Sequence, residues 1–223
     1  MPYSHAQMLA AVLYRDNDII VVNKPAGLPV HRTPKGDENL EDYFGALTFE
    51  AAQPPLLAHR LDKETSGCLV LGRHKQALAR LGKKFAEGKI RKRYLALVIG
   101  APSAASGQIS RPIRRFDLGR GKWEFRIAED GQEAVTDYET MGAGEGYTLL
   151  SMHPRTGRTH QLRLHAQALG CPILGDVFYG GQEPGVERLF LHAESIRIPS
   201  GKEMYIEVKA PLPEYFEERV RGM

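Results

Sequence analysis

The sequence predicts an α+β fold whose central β-sheet is mixed and largely antiparallel, with helices and loops flanking it. Three observations favour this class. Predicted strands outnumber predicted helices, several strands follow one another with no helix between them, and no internal repeat or low-complexity linker divides the chain. We therefore expect a single domain that spans residues 1–223.

Composition is that of an ordinary globular protein. Hydrophobic residues make up 42% and charged residues 26% of the chain, close to globular averages. The net charge is +3, so total charge alone does not require a polyanionic partner. Cys68 and Cys171 suit buried thiols in a reducing compartment, and no stretch approaches the roughly 20 apolar residues of a membrane span. We expect a cytoplasmic protein with no membrane contact.

The first half of the chain is predicted to contain strands and two helices. Residues 18–23 (DIIVVN) are β-branched and precede a Lys-Pro-Ala-Gly turn, a pattern typical of a strand. Helical spacing of apolar residues predicts a helix over residues 39–50, with Asn39 or Asp37 as N-cap. A second helix is expected over residues 74–87, ending at Gly88, before a strand at 94–99.

The second half is predicted to be richer in strands. Basic residues interleaved with aromatic ones over residues 111–123 suit RNA contacts, and equally suit the edge of a β-hairpin. Residues 134–140, 147–153 and 204–210 are predicted strands, and Glu214 to Val220 a short terminal helix. Thr159 is the candidate N-cap of an amphipathic helix that ends at Gly170.

Residues 59–67 (HRLDKETSG) are the strongest candidate site. They lie between two apolar runs and present five charged or titratable side chains within six positions. Charged groups resist burial unless they are paired, so this density indicates a site, with a polar hairpin loop as the alternative. Asp62 is the candidate nucleophile or base. Arg163 is its candidate cationic partner, because arginine cannot lose its charge.

Two further regions are basic. Six cations lie within the eleven positions from Lys83 to Arg93. A solvated helix face is the usual explanation for such a run, and a phosphate-contacting surface becomes the better one if the run borders a site. Arginines and histidines also cluster around the first turns of the helix that follows Gly157, where the helix N-terminus attracts anions.

Four motifs, in order, resemble those of the RluA-type pseudouridine synthases. They are NKPAGLPVH at residues 23–31, HRLDKETSG at 59–67, KRYLALV at 92–98 and RTGRTHQLRLH at 155–165, followed by later landmarks at 175–180 and 191–193. The resemblance covers residues 13–211, and four ordered motifs are hard to obtain by chance. It implies a stand-alone catalytic domain with an RNA-binding cleft across the sheet.

The resemblance implies conversion of a uridine to pseudouridine in structured RNA, without a metal or another cofactor. Asp62 matches the catalytic aspartate. Tyr94 matches the active-site tyrosine that stacks on the base and assists proton removal, and Arg163 matches the partner of the aspartate. Leu162 would line the pocket, and Arg60 would fill the gap that the flipped nucleotide leaves. Attack on the sugar C1′, attack on the base C6 and a glycal route all stay open.

Other residues near these motifs are expected to bind the substrate or hold the site. Basic side chains can hold the phosphates that flank the extruded nucleotide. His59 and Glu64 are expected to bond the loop backbone. The expected substrate-binding residues besides Arg60 and Leu162 are Lys92, Arg93, Arg158 and His160.

The first motif lies close to the N-terminus, which leaves no room before it for the S4-type RNA-binding domain of many relatives. We therefore expect a monomer that recognises a compact stem-loop in tRNA or rRNA with its catalytic domain alone. Two rival functions stay open. A hydrolase or nuclease would use Asp62 and Glu64 as paired acids, and a non-catalytic RNA-binding module would share the fold without the chemistry.

Overall fold

A computed structural model describes residues 3–32, 36–201 and 203–223. Among them strands outnumber helices, which confirms the predicted α+β class. The strands are β1 (Val12–Arg15), β2 (Ile19–Lys24), β3 (Leu56–Leu57), β4 (Ser66–Gly72), β5 (Arg91–Ile99), β6 (Ser106–Ser110), β7 (Ile113–Gly119), β8 (Lys122–Ile127), β9 (Val135–Gly144), β10 (Tyr147–Pro154), β11 (Leu191–Pro199) and β12 (Tyr205–Lys209). The helices are α1 (His5–Ala10), α2 (Lys75–Ala86), α3 (Gln161–Ala168) and α4 (Glu214–Val220), with a 3₁₀ helix at Leu40–Leu47.

The chain groups into two compact units. Unit 1 comprises residues 1–92 and 192–213, and unit 2 comprises residues 93–191 and 214–223. The expectation of a single domain over residues 1–223 stays a prediction.

Unit 1 contains a mixed sheet. Its strand order is β1-β2-β4-β11, with β3 on β4 and β12 on β11. The pairing of β4 with β11 is parallel, and the other pairings are antiparallel. Every second residue of β2 and β4 points to the same face of the sheet. These side chains pack against α2, β11 and β12 and form a hydrophobic core on that face. That core consists of Ile19, Val21, Cys68, Val70, Leu81, Ile90, Ile196, Ile198, Val208 and Ala210.

The two helical segments predicted for unit 1 are present. The His74 side chain accepts a hydrogen bond from the Ala77 N–H at 3.2 Å and caps α2, which ends before Gly88. Asn39 caps the segment that follows it, as predicted, and forms a capping box with Asp42. That segment is a 3₁₀ helix, a tighter form that the spacing of its apolar residues does not distinguish from an α-helix.

Unit 2 is antiparallel throughout. Its sheet has the order β5-β10-β9-β6, and β7 with β8 forms a separate two-stranded hairpin. The hairpin confirms the strand interpretation of the basic, aromatic segment at residues 111–123. Ile113 and Ala134 pack against Leu164 of α3, which attaches this helix to the strands beside it.

The predicted N-cap of α3 is wrong. The helix begins after His160, whose backbone is left-handed with φ of 57° and whose side chain makes no capping bond. Thr159 therefore lies outside the cap. The side chain of Gln161, the first residue of the helix, turns back onto the preceding loop and accepts the Arg158 N–H at 2.9 Å.

Both cysteines are free and buried. Over the described ranges, none of the helices has the length and apolar character that a bilayer crossing requires.

Gly67 is a close-contact position that ends the candidate motif. Its φ of +109° is unfavourable for other residues, and an added Cβ would lie 2.3 Å from the carbonyl oxygen of Ala193 on β11. We predict that Gly67→Ala lowers the free energy of unfolding by about 3 kcal/mol or more, because the backbones of β4 and β11 must separate.

Gly88→Ala is the matched control for Gly67→Ala. Gly88 also has a positive φ, of +64°, but an added Cβ there meets nothing within 4 Å. Its cost should be only about 1 kcal/mol, from backbone strain. Equal costs for the two variants in urea unfolding would contradict the close-contact explanation.

Candidate active site

Asp62 lies in the connection between β3 and β4 of unit 1. The two strands pair antiparallel, with Leu57 opposite Leu71, so the connection is a hairpin loop as the sequence predicts. Leu61 is buried and anchors the loop, and the carbonyl of Asp62 accepts the Thr65 N–H at 3.1 Å. Asp62 is half-buried and Arg60 is exposed. The loop thus presents a carboxylate beside an exposed guanidinium.

A buried lysine fixes this loop to the turn after β2. Lys24 is 0% exposed, and its Nζ donates to the carbonyl oxygens of Pro25, Leu28 and Lys63 at 2.7, 2.8 and 2.9 Å. Burial lowers the pKa of Lys24 to about 7, and the nearby carboxylates of Glu64 and Asp62 oppose that shift. The first two family-like motifs are therefore held together by one ammonium group.

His59 has a structural role. Its Nε2 accepts the backbone N–H of Val70 at 3.0 Å, and its ring packs against Phe85 with centroids 4.9 Å apart. Burial, and then the charge of Lys92, lowers the pKa of His59 to about 3. Only a ring without a proton on Nε2 can accept this bond, so His59 is neutral here. The bond connects the start of the Asp62 loop to Val70 of β4. This agrees with the role expected for it.

Lys92 is the last residue of unit 1 and lies on β5. It is half-buried, and burial lowers its pKa to about 8. A lysine with a pKa this close to neutrality still carries a proton on most molecules at pH 7. It is therefore a suitable partner for an anionic ligand, as the sequence predicts.

In unit 2, Arg163 forms a buried bidentate ion pair with Asp176. Nε and Nη2 of Arg163 donate to the two carboxylate oxygens at 2.7 Å each, and the two side chains are 5% and 0% exposed. The planes of guanidinium and carboxylate match in such a pair, which fixes the arginine rotamer.

The loop around Asp176 is itself held tightly. Oδ1 of Asp176 accepts the N–H groups of Phe178 and Tyr179 at 3.0 and 3.2 Å. The Arg163 guanidinium carbon lies 5.4 and 5.1 Å from the centroids of these two rings. Phe178 is nevertheless 72% exposed. The loop therefore presents a fixed aromatic ring to solvent beside Arg163.

Gln161 organises the start of α3. Its Oε1 accepts from the Thr156 hydroxyl at 2.7 Å and from the Arg158 N–H at 2.9 Å. Its Nε2 donates to the Val135 carbonyl and to Thr136 Oγ1, both at 3.0 Å. The motif RTGRTHQ is thus bound to β9 before the helix begins.

A buried chain of hydrogen bonds continues from Gln161. Nδ1 of His165 lies 2.8 Å from Thr136 Oγ1, and Nε2 lies 3.1 Å from the carbonyl oxygen of Arg111. A carbonyl only accepts, so Nε2 carries the proton and Nδ1 accepts from Thr136. Burial lowers the pKa of His165, consistent with a neutral ring. Sequence reasoning assigned neither Gln161 nor His165, and their place in the motif was the available signal.

The remaining predicted residues of unit 2 occupy different surroundings. Tyr94 is 9% exposed on β5, opposite Met152 of β10. Arg93 donates from Nε to the Ser151 hydroxyl at 2.8 Å, which orients it along the sheet. Leu162 is buried on α3.

Two basic positions precede α3. Nδ1 of His160 lies 2.8 Å from the Tyr179 hydroxyl, so His160 is connected to the Asp176 loop. Arg158 is exposed and donates to the Glu133 carbonyl at 3.0 Å.

The predicted residues therefore divide between the units. Arg60, Asp62 and Lys92 belong to unit 1, and Tyr94 with the predicted α3 residues belongs to unit 2. Arg163 has a partner that the sequence did not assign to it, Asp176, and its pairing with Asp62 stays a prediction. Within the described ranges, no three His, Cys, Asp or Glu side chains form a group that could hold a metal ion.

The chain is similar to known RNA-modifying enzymes over nearly its whole length. The family model for RNA pseudouridylate synthase matches residues 18–168. An uncharacterized RNA pseudouridine synthase of Zymomonas mobilis is 38% identical over 93% of this chain and 95% of that one. Ribosomal large subunit pseudouridine synthase C of Rickettsia prowazekii is 36% identical over 94% of this chain and 70% of that one.

A solved structure agrees with these matches. Human RNA pseudouridylate synthase domain containing 4 superposes with a TM-score of 0.81 at 29% identity, covering 97% of this chain and 95% of that one. The chain therefore belongs to the RNA pseudouridylate synthase family, which confirms the resemblance seen in its four motifs. It is an isomerase that makes pseudouridine in RNA.

The depressed pKa of His59 predicts a specific pH dependence. The unfolded ring takes up a proton near pH 6.5 and the folded ring only near pH 3, so this histidine destabilises the fold as the pH falls below 6.5. Between pH 7 and pH 5 the loss is about 2 kcal/mol. In urea unfolding, the difference in unfolding free energy between wild type and His59→Gln should therefore be smaller at pH 5 than at pH 7 by that amount. A gap that is the same at both pH values would contradict a neutral His59.

Breaking the Arg163–Asp176 pair should be costly. Asp176→Asn keeps the shape of the side chain but leaves Arg163 charged and buried, so we predict a loss of about 3 kcal/mol in unfolding free energy. Asp130→Asn is the control, because Asp130 pairs with Arg114 at the surface with 66% of its side chain exposed. That variant should lose less than about 1 kcal/mol. Similar losses for both variants would refute the structural importance of the buried pair.

Proposed function

We propose that Asp62 is the catalytic carboxylate of this synthase, with Tyr94 and Arg163 as the other catalytic residues. The observation that carries the proposal is the half-buried Asp62 in a loop that Lys24 and His59 fix from two sides. A nucleophile on a fixed loop loses little freedom when it reacts. The match of its surrounding motif to the family supports the same residue.

The reaction exchanges one bond for another within a single nucleotide. The bond between N1 of the uracil and C1′ of the ribose breaks, and a bond between C5 and C1′ forms. C5 loses its proton and N1 gains one, so the change is redox-neutral. Nothing in this balance requires an electron carrier, which agrees with the expectation of catalysis without cofactor or metal. A carboxylate that bonds to the nucleotide divides the exchange into easier steps.

Tyr94 and Arg163 suit the roles proposed for them. Tyr94 is buried within a strand, so its ring is a fixed surface for stacking and its hydroxyl a group through which a proton can pass. Asp176 fixes the guanidinium of Arg163 through Nε and Nη2, and we propose that this guanidinium is the cationic partner of the Asp62 carboxylate. Arginine keeps the positive charge that a catalytic carboxylate needs in a partly dry site.

The target base must leave its stack before it can react. Extrusion costs a few kcal/mol, and a side chain that fills the gap recovers part of that cost. Arg60 is exposed beside Asp62 and has a planar guanidinium that can stack on bases, so we propose that it fills the gap. Leu162 would contact the extruded base, while Lys92, Arg93, Arg158 and His160 would hold the phosphates around it.

We propose a stem-loop of large-subunit ribosomal RNA as the substrate. The support is the Rickettsia relative, which is named for the large ribosomal subunit. The exposed aromatic rings of Phe178 and Trp123 are suited to unstacked bases of a loop. The tRNA alternative, a monomeric state and a cytoplasmic location stay part of the proposal.

Substitution of Asp62 tests the chemistry. We predict that Asp62→Asn lowers the rate of pseudouridine formation at least about 10⁴-fold, because an amide does not replace the carboxylate as nucleophile, while RNA affinity changes less than about threefold. The measurement is release of tritium from C5 of uridine-labelled ribosomal RNA transcripts. Glu64→Gln, a neighbouring carboxylate expected to be structural, is the matched control and should keep most of the activity.

Full turnover by Asp62→Asn would overturn the proposed mechanism. The two rival functions have separate outcomes in the same assay. RNA cleavage that stops when EDTA is added would indicate a metal-dependent nuclease. RNA binding without tritium release by the wild-type protein, on RNA that lacks pseudouridine, would indicate a non-catalytic module.

A further inference from the structure

We propose that a basic pocket in unit 1, separate from the residues assigned to the reaction, binds backbone phosphates of the substrate RNA. It is a concave cavity of about 750 Å³ formed by the last turns of α2, the start of β5, residues 199–201 at the end of β11 and the start of β12. The polar and aromatic side chains that matter here are Arg80, Lys83, Lys84, Lys89, Arg91 and Tyr205. The inference rests on the proposed RNA substrate.

The charge of the pocket is one-sided. Five cations line it, and among the described residues that line it the only carboxylate is that of Glu87. Glu87 lies 2.7 Å from Nζ of Lys89 and 3.9 Å from that of Lys83, and the bond to Lys89 holds its pKa below the usual range. One carboxylate cannot neutralise five cations, so a positive potential persists in a concave surface where it is focused.

Only some of the five cations have a structural partner within the described ranges. Arg80 pairs with Asp18, and Lys84 donates to the Pro199 carbonyl at 2.6 Å, so these two have structural partners. No hydrogen bond or ion pair holds Arg91 within the part of the chain that the structure describes, and Lys83 is 79% exposed. Lys83 and Arg91 are therefore the side chains best placed to move onto a ligand.

Several features favour RNA over an acidic protein. Arg91 is the first residue of β5, the strand that carries Tyr94 three positions later. Lys92, to which the proposed function assigns a substrate phosphate, is the next residue on the same strand. Tyr205 borders the pocket with 43% of its surface exposed, and the Arg197 guanidinium lies 3.9 Å from its ring centroid. An exposed ring supported by a cation is suited to stack on a base beside bound phosphates.

The salt dependence of RNA binding tests the pocket. The double variant Lys83→Gln/Arg91→Gln should bind a large-subunit ribosomal RNA transcript about tenfold more weakly at low salt. Each lost phosphate contact lowers the slope of log K against log salt by about 0.9, so the slope should fall by about 1 to 2. The turnover number at saturating RNA should stay that of the wild type, because neither residue takes part in the reaction.

Lys75→Gln/Lys209→Gln is the matched control. It removes the same charge from two exposed lysines that do not line the pocket, one of them at the opposite end of α2. This control should change the affinity less than about twofold. Glu87→Gln should have the opposite effect, strengthening RNA binding about threefold, an outcome that misfolding does not produce.

Wild-type affinity and salt slope in Lys83→Gln/Arg91→Gln would overturn the assignment. So would equal losses in that variant and its control, since these would show only a response to net charge. Polyglutamate serves as a probe for an acidic protein partner. If Lys83→Gln/Arg91→Gln binds RNA as the wild type does but loses affinity for polyglutamate, the pocket is a protein-docking site and the proposal is wrong. Because the measurement is binding, none of these outcomes depends on whether Asp62 is the nucleophile.

Discussion

The buried pair between Arg163 and Asp176 is the interaction on which unit 2 depends most. Removing two charges from water costs several kcal/mol each, and only good geometry with additional hydrogen bonds recovers that cost. The structure supplies both, since two N–H···O bonds of 2.7 Å join the pair and two backbone amides donate to the same carboxylate. As a result α3 and the loop at Asp176 occupy fixed positions relative to each other.

Unit 1 uses a comparable device on its own loop. Lys24 has no exposed surface, and three carbonyl groups from two segments surround its ammonium. In both units a buried cation fixes the position of a loop that carries family motifs. A site that must hold a nucleophile within a fraction of an ångström benefits from such support.

Local patterns predicted much of this fold and its candidate site. The helix at α2, the strands at β2, β4 and β5, and the hairpin at β7 and β8 follow from apolar spacing and turn residues, which are properties of neighbouring positions. Ordered motifs identified the family and made Asp62 the candidate nucleophile. These sequence patterns are local. They predict the structure correctly here because the tertiary packing favours the same secondary structure as the local sequence does.

The features that sequence did not predict depend on distant or unusual contacts. The partner of Arg163 lies thirteen positions away in a glycine-rich loop, and nothing in either segment specifies their pairing. A lysine is ordinarily a surface residue, so the burial of Lys24 contradicts its usual preference. The N-cap of α3 is the left-handed His160 and not Thr159, and an unusual backbone conformation at a histidine is not a feature that the cap pattern predicts.

The central claim is that Arg163, held by Asp176, supplies the fixed positive charge that the Asp62 reaction needs. Single-turnover rates of Arg163→Ala and Arg163→Lys on one ribosomal RNA transcript, with RNA affinity measured in parallel, test it most directly. The account predicts that both variants lose at least about 100-fold in rate with affinity within about threefold of wild type, because lysine cannot reproduce the bidentate pair. A wild-type rate in either variant would contradict it.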